Sequence, residues 1–345
     1  MPFDCSSSFV SPFEWGDLKV NVLRFRLLFV AAAIAATCLG ARAFADELLD
    51  GGTVAAPPPA EKGPPLPFIT IEGQGGGAIT PMAYLVNPAA EGDFLGKPSV
   101  AFDTIGLGEK NLNTFMITEN FLGRVELGFA ADDLSLGSLP GAIQRNTTVD
   151  IGRSDVWLYN FSVRGLLVKE NANDNHWVPA ITLGAIFKTN EGIRSINQKL
   201  GGALESIGYG RENGTDFTLT ATKTLPTAFL GKPLILTAGL RESQAAELGF
   251  LGFSNTYHAS FEGSIAILPF DKWLFAYEFR QKSSPYDTIT LNNEVIIGAE
   301  NNWNAFDAAY IVNKHTTVVA GYGIFGNLAN AAANSDWWLQ LKYEF

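Results

Sequence analysis

Apolar and polar residues alternate in short runs along most of the chain, and the runs are broken by Gly, Asn, Asp and Pro. Side chains on a strand point alternately to its two faces, so each run puts an apolar and a polar face on one segment. The last ten residues show this best. Trp337, Leu339, Leu341, Tyr343 and Phe345 share one face, and Trp338, Gln340, Lys342 and Glu344 share the other. In residues 272–281, Trp273, Phe275, Tyr277 and Phe279 oppose Leu274, Ala276, Glu278 and Arg280. In residues 257–268, Phe261, Ile265 and Ile267 oppose Ser260, Glu262 and Ser264. The same reading predicts strands over 124–130, 155–169, 179–188, 216–224, 233–243, 294–301, 304–312 and 316–324, with earlier ones near 68–74 and 99–108. Residues 132–152 read as a long loop, and 190–214 as a loop with a short helix over 191–206. The total is roughly a dozen strands, within the range of bacterial single-chain membrane barrels.

Ahead of the strands, residues 22–45 read VLRFRLLFVAAAIAATCLGARAFA. Arg24 and Arg26 begin it, a short apolar core follows, and Ala43-Phe44-Ala45 fits the small-x-small cleavage pattern. The core is too short for a spanning helix, which needs about 20 apolar residues. The expectation is a signal peptide cleaved before Asp46, with translation starting near Val22. Residues 46–67 carry Gly51-Gly52, Pro57-Pro58-Pro59 and Pro64-Pro65, which suits a spacer. The predicted domains are thus a leader (1–45), a Pro/Gly-rich linker (46–67) and a β-barrel (68–345). The two cysteines, Cys5 and Cys38, both precede the cleavage point, so the mature chain would have neither a disulfide nor a thiolate-bound zinc.

Composition sharpens the class. Charged residues make up 17%, against roughly 25% in soluble domains. The net charge is −11 and no Lys/Arg cluster follows the leader, which argues against nucleic acid. Three features favour an antiparallel transmembrane barrel in a Gram-negative outer membrane over a soluble sandwich. Trp157, Tyr159, Trp273, Trp303, Trp337 and Tyr343 sit near strand ends, where rings form girdles at the lipid boundary. The opposite faces carry Arg124, Glu126, Arg164, Arg241, Glu262, Glu278, Arg280, Lys342 and Glu344, which would face a lumen. The chain ends on an aromatic strand at Phe345, which resembles the insertion signal read by the barrel-assembly machinery. The expected partners are therefore that machinery and outer-membrane lipid.

Other chemistry is thin. Gly73, Gly75 and Ala78 fit G-x-G-x-x-A, but Gly76-Gly77 and Pro81 make a poor helix opening, and a dinucleotide site needs a helix N-terminus. The glycines suit a turn or a close backbone approach. His176, His258 and His315 lack metal-ligand spacing. His258 with Ser260 share a strand face, as any such pair does. No catalytic, cofactor or metal residue is predicted, and the chain reads as a non-enzyme. The inward charges leave two roles open: a network that plugs the lumen, or the lining of a pore.

GQGGGAITPMAYLVN at 73–87, HWVPAITLGAIFK at 176–188, ELGFLGF at 247–253, FEGSIAIL at 261–268 and FDAAYIVNKHTTVVAGYG at 306–323 together resemble a bacterial family known as domain of unknown function 3034. That family commonly has Trp where this chain has Met82. The resemblance implies an exported, barrel-like protein and no chemistry. The leading functional expectation is a passive, porin-like channel for small solutes. The alternatives are a non-transporting structural or adhesive barrel, a barrel lipid hydrolase, or a soluble periplasmic β protein.

Overall fold

The structure, a computed structural model, describes residues 66–345. The leader and nearly all of the spacer lie outside the described residues. Twelve strands form one closed barrel: β1 (Ser99–Leu107), β2 (Lys110–Phe121), β3 (Val125–Ser135), β4 (Asp155–Val168), β5 (Ala180–Glu191), β6 (Asn213–Phe229), β7 (Lys232–Ala245), β8 (Phe253–Phe270), β9 (Trp273–Arg280), β10 (Trp303–Ile311), β11 (Thr316–Ile324) and β12 (Asp336–Glu344). Each pairs antiparallel with the next. β12 returns to β1, placing Leu341 opposite Phe102 and Glu344 opposite Ser99. Closure leaves the wall no unpaired edge.

Twelve is the count expected, but the membership differs. Residues 68–74 and 294–301 are not wall strands. Glu294–Ile297 pairs with Ile289–Leu291 in a small separate hairpin. β2 is absent from the sequence reading because both its faces are mixed: Asn111, Phe115 and Ile117 point out while Lys110, Leu112 and Met116 point in. Asp132 and Asp133 are strand residues on opposite faces, so the expected loop begins only after Ser135.

Alternation sets the two surfaces of the wall. Along β12, buried and exposed residues alternate from end to end. Phe102, Phe115, Phe161, Phe187, Phe261, Phe306 and Leu341 all lie exposed on the outside. One barrel end has tight turns, such as 230–231 and 271–272. The other has long connections that fold over the mouth. They include α1 (Leu139–Thr147) in the β3–β4 loop and α2 (Ile193–Lys199) in the β5–β6 loop. Leu139 and Ile143 of α1 and Ile193 and Ile196 of α2 join Leu248, Phe250, Tyr286 and Ile296 in an apolar cap.

A twelve-stranded ring is wider than an eight-stranded one, whose interior side chains alone can fill. Here chain occupies much of the space, leaving a cavity of about 520 Å³ between plug and wall at the tight-turn end. From Pro67 to Asn87 every residue except Tyr84 is buried inside the barrel. This plug enters at the tight-turn end, reaches the middle, and returns to begin β1 at the same end. Ile69 and Val86 pack on Ala101, Met116 and Ala130. Phe68 packs on Ala266, Leu274, Ala309 and Val319. The small wall residues make the room that the plug occupies.

Candidate functional site

The site is the contact between plug and wall. Five neighbouring strands, β5 to β9, carry inward charges of alternating sign: Lys188, Asp216, Arg241, Glu262 and Arg280. Lys188 meets Asp216 at 2.8 Å, and Arg241 meets both Asp216 and Glu262 at 3.0 Å. Arg280 lies 3.8 Å from Glu262. Into this ladder the plug inserts Glu72, which contacts Lys188 at 2.5 Å, Arg280 at 2.7 Å and Arg241 at 3.0 Å. All six side chains are almost fully buried. Buried ions persist only when paired and hydrogen-bonded, so the wall cations and the plug carboxylate depend on one another.

Two further wall carboxylates hold plug backbone. Glu278 accepts from the N–H groups of Ala78 at 2.6 Å, Ile79 at 3.2 Å and Thr80 at 2.7 Å, and from the Thr80 hydroxyl. Consecutive N–H groups aimed at one anion form a nest. Gly77 permits it, because a Cβ there would collide with the Glu278 carboxyl. Glu126 accepts from Gly75 N–H at 2.9 Å and Val86 N–H at 2.6 Å, while its β4 neighbour Arg164 pairs with it at 2.7 Å. Arg164 also donates to the Met82 and Tyr84 carbonyls. Gly73, at φ +75°, brings its backbone against β3, where a Cβ would lie 2.9 Å from the Phe129 carbonyl carbon. On the far wall Gln340 donates to the Ile69 carbonyl at 2.8 Å, and Lys342 donates to the Pro67 carbonyl.

Of the nine predicted lumen charges, eight point inward. Glu126, Arg164, Arg241, Glu262, Glu278 and Arg280 all bind the plug or the ladder. Lys342 and Glu344 pair with each other at 2.6 Å near the tight-turn end. The exception is Arg124, which lies half-buried in the β2–β3 turn and donates to the Leu166 carbonyl. Among the aromatics, Trp157, Tyr159, Trp273, Trp337 and Tyr343 face outward, and Phe345 is half exposed beyond β12. Trp273 and Tyr310 pack at 5.0 Å at the tight-turn end, and Trp157 stacks on Tyr159 at the loop end. Trp303 is a correction. It is only 5% exposed and points inward, beside Phe325 and beneath Lys282 and Arg280. The alternation that turns Phe306 outward turns Trp303, three residues earlier, inward.

The sequence reading missed Glu72, Lys188 and Asp216. Lys188 continues the inward row of Thr182, Gly184 and Ile186, and Asp216 begins the row of Thr218, Thr220 and Thr222. That phase was legible. Glu72 carried no signal, because its partners lie more than a hundred residues away. Among the described residues, no group of three or more His, Cys, Asp or Glu is placed to hold a metal.

A closed antiparallel barrel, apolar outside and charged within, has the architecture of the outer-membrane β-barrels. Within that class the chain belongs to the family described as "Protein of unknown function (DUF3034)", whose profile matches residues 67–342, plug and wall together. Similar solved structures include the KdgM porin, at 11% identity and TM-score 0.43, covering 72% of this chain and 99% of that one. The NanC porin gives 9% and 0.42, over 72% and 98%. The Acinetobacter baumannii outer membrane protein Omp33 gives 8% and 0.38, over 73% and 99%. No curated protein matches the chain.

Proposed function

We propose that this protein is an outer-membrane conduit for small solutes that its own N-terminal segment holds shut. The outward Phe and Leu faces and the two aromatic zones suit a lipid surround, with the tight turns facing the periplasm and the long loops outside. The carrying observation is how the plug is attached. Its only regular pairing is its own two-residue hairpin, Phe68–Ile69 with Gly75–Gly76. Everything from Ile69 to Val86 is held by side chains and by packing, outside the wall's strand ladder. The plug can leave without breaking a hydrogen bond between wall strands, and the charges it uncovers would line the opened lumen.

Planar-bilayer recording of protein purified from membranes tests this. The wild type should be closed for most of the record. Glu72→Gln with Glu278→Gln should give frequent discrete steps. A wild type as conductive as the double variant would show that the plug is no gate. A barrel lacking residues 66–87 that inserts, shows the heat-dependent gel mobility of a folded barrel and stays silent would defeat the conduit. It would favour a structural barrel.

A further inference from the structure

The cap over the loop end holds a partly open cavity of about 360 Å³. Four separate connections build it: Ile143 and Ile151 come from the β3–β4 loop, Ile196 from β5–β6, Leu251 from β7–β8, and Ile289 and Ile296 from β9–β10. The volume falls in the range of about 300–1,000 Å³ typical of small-molecule pockets. Protein interiors close-pack, and a space this large forfeits contacts along every aliphatic wall.

The lining is chemically uniform. No charged side chain contributes to it. Its two hydroxyls are already engaged: Thr147 donates to the Ile143 carbonyl at 2.8 Å and Ser206 to the Ala203 carbonyl at 2.7 Å. Beside it lies a second, smaller space of about 50 Å³ that shares Leu136, Leu139, Phe250 and Leu251 as walls and has Lys110 and Glu247 in its lining. That space ends on Ile71 and Ile79 at the tip of the plug. The two spaces lie side by side between the outer cap and the plug. Lumen charges suit hydrated ions and sugars, but the larger cavity offers such solutes no charged group with which to replace their water.

We infer that the cap cavity is a binding site for a neutral hydrocarbon, aromatic or aliphatic, which reaches the plug tip through the cap. The inference rests on the conduit reading for its direction of travel. It names the class of solute that the conduit admits.

The test uses the full barrel in nanodiscs of deuterated lipid, with isoleucine δ1 methyls labelled for NMR and naphthalene as probe. Methyl signals of Ile143, Ile196 and Ile296 should shift saturably, while the outward Ile117 and Ile265 change only in proportion to added probe. Ile196→Trp, which fills the cavity, should abolish the saturable shifts. Ile143→Phe is the second filling variant if the first does not fold, as judged by gel mobility. Absence of saturable shifts in the wild type overturns the site. Saturation by galacturonate at the same methyls overturns the ligand class. Cross-peaks from residual lipid chain protons to these methyls before naphthalene is added reassign the cavity to membrane lipid. Because binding is read without conductance, saturable shifts beside a silent plug-deleted barrel would keep the site and defeat only the conduit.

Discussion

The Glu72 carboxylate of the plug meets the Arg280 guanidinium of β9 at 2.7 Å, across 208 residues of sequence. Both are buried, and Lys188 and Arg241 crowd the same carboxylate. Removing one member of a buried ion cluster leaves its partners uncompensated, at about 3–5 kcal/mol. Glu72→Ala should therefore loosen the plug far more than the wall. Hydrogen exchange checks this: amides of residues 69–86 should lose protection, while amides of β10 to β12 keep theirs. Equal loss in both would mean that the plug and wall unfold as one unit.

Gly77 lies against Glu278 so closely that no Cβ fits. Gly77→Ala should push the carboxylate out of its nest, at about 1–3 kcal/mol for overpacking. The amides of Ala78 and Thr80 should then exchange faster. Gly165→Ala, at a wall position with open space around it, is the control and should leave them unchanged.

Glu247 lies in the β7–β8 turn, buried within the cap. Burial, and then the neighbouring Glu300 carboxylate, raise its carboxyl well above the ordinary value of 4.5, against the opposing pull of Lys282, the Ala329 N–H and Lys110. The folded cap thus binds this proton more tightly than the unfolded chain does. The stability it gives is complete below the unfolded value and is lost as pH rises towards the folded one. Cap stability should fall as pH rises above the ordinary carboxyl value of 4.5, by at most about 1.4 kcal/mol per pH unit for one proton. Glu247→Gln should flatten that slope in exchange rates measured over residues 246–252. A slope that survives the substitution would assign the proton to another group.

Trp337 and Trp338 are neighbours on β12, yet one is 54% exposed and the other 3%. Single-tryptophan variants in bilayers with brominated lipid chains should show strong quenching of Trp337 and little of Trp338. Equal quenching would place lipid on neither face in particular and would count against the membrane reading.

The barrel wall was legible because its code is local. A period of two marks faces within a single strand, so the residues of β9, β8 and β12 sorted themselves without knowledge of any partner. The same locality explains the errors. Trp303 lies near a strand end, as the girdle residues do, but its phase relative to Phe306 turns it inward. β2 carries mixed residues on both faces, since it lines a lumen filled by protein on one side and reaches the polar loop end on the other. Residues 68–74 looked like a strand because apolar residues at every second position suit a plug in a closed lumen as well as a wall.

What the sequence alone determined is the strand-rich chain whose outward faces suit lipid and whose inward faces hold charge. Only the closed ring decided what the charges do. Ring closure brings Lys188, Arg241 and Arg280 from three strands around one point, and the plug enters the same ring to set Glu72 there. Those distances are set by strand tilt, register and the width of twelve strands, which no run of neighbouring residues encodes.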